Sequence, residues 1–218
     1  MKKVLATMLC VCCLFAGYSQ QQYPFYNDIQ AFKHADSLNK PAGNEILFIG
    51  SSSFTYWQDV QNYFPGKPII NRGFGGSSLP DVIRYANDII FSYHPKQIVV
   101  YCGENDIASS DTITAAIVLQ RFQTLFSMIR KQMPEVPLVY ISIKPSPSRK
   151  RFMPVMEEAN SSIKKFLRKQ RNTAFVDVYH KMLNKDGSIK EELFKDDQLH
   201  MKANGYAIWQ KALAPLLK

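Results

Sequence analysis

The sequence predicts an α/β protein, a three-layer α/β/α sandwich around a five-stranded parallel sheet. Three observations predict it. From Glu45 onward, short apolar runs alternate with stretches of helical periodicity. The runs are continuously apolar, as in strands buried on both faces of a parallel sheet. The composition is that of an ordinary globular chain, 218 residues with 46% hydrophobic and 21% charged, which excludes disordered, collagen-like and coiled-coil classes.

The chain opens with Lys2 and Lys3, then an apolar stretch over 4–17, then small residues at Gly17 and Ser19. A basic start, a short apolar stretch and a small-residue site predict a secretory signal over 1–19, cleaved near Ser19, and a secreted or periplasmic product. The stretch is too short to span a bilayer comfortably, and no second candidate follows, so no integral membrane segment is expected after cleavage. Cys10, Cys12 and Cys13 lie within the signal and lack the small-residue pattern of a lipoprotein anchor. Cys102 then has no partner for a disulfide, and stability must come from the core. Loss of Lys2 and Lys3 lowers the formal charge from +9 to +7. That basic excess leaves nucleic acid, anionic lipid and acidic glycans open as partners and selects none of them.

Residues 20–44 form a polar and aromatic N-terminal arm, with a short helix expected over 28–38, and 45–218 form the domain. Its strands are the apolar runs at 46–49, 69–70, 98–101, 138–141 and 175–176. Helices lie between them. In 112–132, Ala115, Leu119, Phe122, Phe126 and Ile129 recur at three- and four-residue steps. Val155, Ala159, Ile163, Phe166 and Leu167 do the same in the next stretch, and a last helix is expected over 203–213. Strands alternating with such helices make right-handed β-α-β units.

In these sheets ligands bind at the carboxyl ends of the strands, which directs attention to four segments. They are Gly50-Ser51-Ser52-Ser53, Asn71-Arg72-Gly73-Phe74-Gly75-Gly76, Gly103-Glu104-Asn105-Asp106 and, before the last helix, Asp197-Gln198-Leu199-His200. Taken singly, each has a bland structural reading: a helix cap, turn glycines, an Asx turn, a polar surface loop. Taken in order, they resemble the blocks of the SGNH (GDSL-type) esterases and acylhydrolases over nearly the whole domain. Phe48, Gly50 and Ser52 match the first block and imply Ser52 as nucleophile. The second implies an oxyanion donor at Gly76, the third another at Asn105, and the last an acid–base pair of Asp197 and His200. One departure is that Ser51 stands where the family usually carries Asp. The resemblance implies the flavodoxin-like SGNH fold, hydrolysis of carboxylic esters through an acyl-enzyme, and no cofactor.

The chemistry of the residues leads to the same places. A serine hydroxyl needs a base within hydrogen-bond reach. Among His34, His94, His180 and His200, the last is selected for the carboxylate of Asp197 three residues earlier, where one turn can return it to the imidazole. The developing oxyanion needs donors, and the N–H groups of Ser52 and Gly76 with the Asn105 carboxamide form a suitable set. No Gly-Lys-Ser/Thr follows the glycines, which excludes a phosphate loop. The residues outside the signal carry no Cys pair and no zinc spacing, so no metal is expected. Asn160-Ser161-Ser162 is a weak glycosylation sequon.

One basic cluster stands apart, nine Lys and Arg within 144–171 against Glu157 and Glu158. Its helical part reads as a solvated face. The loop Lys144-Pro145-Ser146-Pro147-Ser148-Arg149-Lys150-Arg151 follows the fourth strand and is expected on the rim of the site, where Arg149, Lys150 and Arg151 could meet an anionic substrate group. The expected partner is a small ester or acylated glycan, not a nucleic acid. Short-chain or O-acetyl esters of carbohydrates lead. A lysophospholipase or thioesterase is the alternative, and an inactive glycan-binding domain is the rival of another class.

Overall fold

The computed structural model describes residues 23–218; the signal expected over 1–19 lies outside them. In chain order the helices are α1 (Tyr26–Leu38), α2 (Ser52–Thr55), α3 (Val60–Tyr63), α4 (Leu79–Arg84), α5 (Glu104–Ala108), α6 (Ala115–Gln132), α7 (Met153–Leu167) and α8 (Ala203–Leu213). The strands are β1 (Ile46–Gly50), β2 (Ile69–Gly73), β3 (Gln97–Tyr101), β4 (Leu138–Ile141) and β5 (Thr173–Val176). All strand pairs are parallel, in the spatial order β2-β1-β3-β4-β5. The expected sheet is therefore present, with helices on both faces.

Alternation along the strands divides the interior into two cores. Leu47, Ile49, Ile98 and Val100 face one side, where they pack with Ile29 of α1, Val82 of α4, Phe122 of α6 and Ile163 of α7. Ile46, Phe48, Val99 and Tyr101 face the other, with Phe54 of α2, Trp57, Val60 of α3 and Trp209 of α8. Burial on both faces explains why these runs lack a polar alternation. Among the described residues, no helix is long and apolar enough to cross a membrane.

The order of the strands places the site. From β1 the chain adds β2 on one side and then crosses back to add β3, β4 and β5 on the other, so the order of strand addition reverses at the β1/β3 boundary. Loops diverge there and open a crevice at the carboxyl ends. Ser52 follows β1 and Asn105 follows β3, and these segments flank that crevice.

Candidate active site

The turn after β1 is shaped by Gly50. Its φ is +138°, and a Cβ there would lie 1.8 Å from the Tyr101 carbonyl oxygen, so only glycine can end the strand in this way. Ser51 is extended and precedes α2, leaving Ser52 as the first helical residue. The Ser52 N–H thus belongs to the first turn, whose donors a helix cannot satisfy internally. The turn is held from two sides. Asn71 Nδ2 donates to the Phe54 carbonyl at 2.7 Å, and the Tyr206 hydroxyl donates to the Ser53 carbonyl at 2.8 Å. At Gly73 a Cβ would fall 2.5 Å from Phe54 Cβ, so the missing side chain lets α2 sit against the end of β2.

The Ser52 hydroxyl is half-buried, and its Oγ lies 3.0 Å from His200 Nε2. His200 Nδ1 lies 2.6 Å from Asp197 Oδ2, while Asp197 Oδ1 accepts the N–H groups of Leu199 and His200, both at 2.9 Å. The backbone reverses at Gln198, φ +55°, which folds the carboxylate back onto its own turn. With Nδ1–H donated to Asp197, the hydrogen-bond pattern assigns Nε2 as the acceptor facing Ser52. Burial pushes the Asp197 carboxyl upward, but the His200 N–H, the His200 ring and the Leu199 N–H outweigh it and hold the carboxyl at about 2. The Tyr56 ring lies against His200 at 4.3 Å between centroids, tilted by 50°, and Lys195 Nζ lies 4.7 Å from the Tyr56 centroid.

Spacing alone does not single out His200. Asp177 precedes His180 by the same three residues, and the same bond forms, His180 Nδ1 to Asp177 Oδ2 at 2.8 Å. What separates the two pairs is the third member. His200 has Ser52 at its far nitrogen, whereas His180 Nε2 faces Glu157 at 3.9 Å and the ring is largely exposed.

The second loop also comes close to Ser52. A Cβ on Gly75 would lie 4.0 Å from Ser52 Cβ, and Gly76 follows, exposed, with φ +85°. The Gly76 N–H has no acceptor among the described residues. Asn105 Nδ2 donates to the Ser77 carbonyl at 2.9 Å, which joins the third loop to the second. Asp106, next to it, is buried. Its Oδ2 accepts the Leu79 N–H at 2.9 Å and its Oδ1 accepts from Arg121 at 2.8 Å. Burial pushes this carboxyl up in spite of both partners. Asp106 therefore ties α4 and α6 to the start of α5, which carries Asn105. The structure thus brings together Ser52, His200 and Asp197 as one hydrogen-bonded chain, with Gly76 on the loop after β2 and Asn105 in the first turn of α5. Cys102 is buried, and burial pushes its thiol well up, as suits a small core residue. No group of three or more His, Cys, Asp or Glu placed to hold a metal occurs among the described residues.

The basic loop divides. Lys144 is not on the rim: it is 1% exposed, with Nζ 2.8 Å from Glu104 Oε2 and 2.7 Å from Ser146 Oγ. Glu104 also accepts from Ser146 at 2.5 Å and from the Tyr101 hydroxyl at 2.6 Å. Burial alone would raise the Glu104 carboxyl; the Lys144 ammonium and the Arg149 guanidinium outweigh it and hold it below the usual carboxylate range. Arg149 turns inward, Arg151 reaches Asp111 at 3.2 Å, and Lys150 is exposed. Nothing local in the sequence marks Lys144 as buried, because its partner is forty residues away.

With this geometry in view, comparison with known proteins is direct. A family model described as GDSL-like lipase/acylhydrolase matches residues 45–208. The chain belongs to that family. Its members are carboxylic ester hydrolases, and the chain is accordingly an ester hydrolase of the GDSL type. Comparison with curated proteins finds no match. Similar solved structures include a Streptococcus pneumonia protein provisionally described as a platelet activating factor, at 22% identity and TM-score 0.76, covering 88% of this chain and 92% of that one. A GDSL-like lipase from Bacteroides thetaiotaomicron is 17% identical at TM-score 0.72, covering 88% and 98%. An acetyl-xylooligosaccharide esterase from Geobacillus Stearmophilus is 14% identical at TM-score 0.62, covering 81% and 94%. At these identities the likeness is one of fold.

Proposed function

We propose that this GDSL-type hydrolase is an exported serine esterase for short acyl or O-acetyl esters of carbohydrates, with Ser52 as nucleophile, His200 as general base and acid, and Asp197 as its orienting carboxylate. The observation that carries the reading is the continuous chain from Ser52 Oγ through the His200 ring to Asp197, at 3.0 and 2.6 Å. Ser52 attacks the ester carbonyl as Nε2 takes the hydroxyl proton, and Asp197 stabilises the imidazolium that forms. The carbonyl oxygen gains charge and receives the N–H groups of Ser52 and Gly76 and one N–H of Asn105. The tetrahedral intermediate expels the alcohol, which leaves with the proton from Nε2. Water then attacks the acyl-Ser52 ester by the same route in reverse and frees the acid.

The substrate class rests on two supports. One similar structure is an acetyl-xylooligosaccharide esterase. The exposed Tyr56 ring beside His200 adds aromatic surface at the site, of the kind that sugar rings pack on. Kinetics on a panel running from acetyl to long acyl p-nitrophenyl esters, with acetylated xylan and lysophosphatidylcholine, test it. Release of acetate from xylan with activity falling as the acyl chain lengthens is the expected result. Preference for lysophosphatidylcholine would move the assignment to a lysophospholipase, and no hydrolysis of any ester would leave a binding domain. Export rests on the apolar stretch over 4–17 and its small-residue end. N-terminal sequencing of the released protein should begin near Gln20; retention of 1–19 in a membrane fraction would contradict it.

A further inference from the structure

Arg149 has no part in the steps above, yet it touches their machinery. Its Nη2 donates to Asn105 Oδ1 at 2.9 Å, and its Nη1 lies 3.7 Å from Glu104 Oε1. Its side chain is largely buried, 18% exposed. Asn105 in turn gives one Nδ2 proton to the Ser77 carbonyl. A carboxamide has one oxygen and two N–H donors. With the oxygen held by Arg149 and one donor held by Ser77, a single N–H remains, and it is the one available to a substrate oxyanion.

An asparagine side chain is nearly symmetric in shape, and half a turn about its last bond exchanges oxygen for nitrogen. In the exchanged orientation an amide oxygen would face the developing negative charge. A guanidinium opposes that exchange strongly, because it has only donors and does not lose its proton at working pH. A flipped Asn105 would set NH₂ against it. The charge also polarises the carboxamide and strengthens its remaining donor.

The surroundings hold Arg149 to this task. The backbone leaves helical geometry at Arg149, with φ −119° and ψ 21°, where the turn after β4 meets α7. The preceding Ser148 is fixed to the Gln198 carbonyl by both its N–H and its hydroxyl, each at 3.0 Å. Ser146 and Lys144 are fixed to Glu104. One loop therefore reaches the oxyanion asparagine and the Asp197–His200 turn together.

We propose that Arg149 is a positioning residue of the oxyanion hole, acting on the reaction through Asn105 rather than through an anionic group of the substrate. The proposal rests on the reading of Asn105 as an oxyanion donor, and its test separates the two. Wild type, R149A, N105A and the double variant are compared on p-nitrophenyl acetate, an ester without charge. R149A should lower kcat by roughly ten- to a hundred-fold, less than the hundred- to thousand-fold expected for loss of a donor outright, with KM changed by less than about twofold. On the N105A background the same change should cost less than about twofold, because the partner it acts through is gone. Lysine, which also offers only donors, should restore much of kcat in R149K. If R149A does not fold, R149Q carries the same cycle. Additive losses in the double variant, or an intact kcat with a raised KM, would overturn the proposal while leaving the serine mechanism untouched. An N105A enzyme with full kcat would overturn it together with the oxyanion reading, whereas S52A tests the nucleophile independently of both.

Discussion

The buried pair of Lys144 and Glu104 gives the most quantitative prediction. Lys144→Met removes the ammonium and keeps the volume, leaving Glu104, 4% exposed, without its main counter-charge. Removing one member of a buried ion pair costs about 3–5 kcal/mol. Here the Tyr101 and Ser146 hydroxyls remain at 2.6 and 2.5 Å and the Arg149 guanidinium at 3.7 Å, which places the loss at the low end, about 3 kcal/mol. For a domain of this size that is a fall in Tm of roughly 6–12 °C. The pH dependence has a definite sign. In the wild type the Glu104 carboxyl is depressed, so its contribution is present above the unfolded value of 4.5 and is lost as pH falls through the folded value. In K144M burial dominates and raises the carboxyl, so stability falls as pH rises above the unfolded value. The gap between the two proteins should therefore be wide at neutral pH and narrow toward acid. Urea unfolding followed by the fluorescence of the buried Trp57 and Trp209 measures it. A loss below about 1 kcal/mol at neutral pH, or a gap that widens in acid, would refute the reasoning.

Three further predictions concern the reaction and its substrate. Because Asp197 is held at about 2, it stays ionised across the working range and should contribute no proton uptake to any decline of kcat/KM on acidification. A slope of two in log kcat/KM against pH would bring Asp197 into the titration and contradict this. Asp197→Asn should lower kcat about a thousand- to ten-thousand-fold with KM little changed, since the side chain orients the ring and meets the charge formed in the transition state; a loss confined to KM would contradict it. If Lys150 and Arg151 meet an anionic substrate group, salt should raise the wild-type KM for anionic esters and leave that for neutral esters unmoved, because rim charges act through a field screened over about 8–10 Å. Equal responses would return both residues to a solvated surface.

How much of this was legible in the sequence follows from where each feature's cause lies. β1, β3 and β4 were readable because burial on both faces makes them continuous apolar runs. β2 was seen only at Ile69 and Ile70, although it extends to Gly73. It pairs on one side alone, and at the edge Asn71 and Arg72 remain half-buried. β5 likewise begins at Thr173, earlier than its two most apolar residues announce. The short helices α2 to α5 span too few residues to show a period. α6, α7 and α8 were visible with their faces.

The candidate site was legible as four strand-end segments because each is contiguous. Its supports were not. Lys144 and Arg149 read as members of a basic surface loop, yet one is buried against Glu104 and the other holds Asn105, 40 and 44 positions away. Charge complementarity over that separation leaves no local pattern. The Asp177–His180 pair shows the opposite failing. It reproduces the Asp-x-x-His spacing and its hydrogen bond, and what distinguishes it is a largely exposed ring whose far nitrogen faces Glu157 instead of a serine.

The central claim is that Ser52 is the nucleophile, even though Ser51 replaces the usual acidic neighbour and three serines stand in a row. Labelling with a serine-directed fluorophosphonate, followed by digestion and mass mapping, tests it most directly. Ser52 is the one of the three whose hydroxyl lies 3.0 Å from an imidazole nitrogen, while Ser51 and Ser53 are buried. The account predicts stoichiometric phosphonylation at Ser52, lost in both S52A and H200A. Modification at Ser51 or Ser53, or labelling of Ser52 that survives removal of His200, would contradict it.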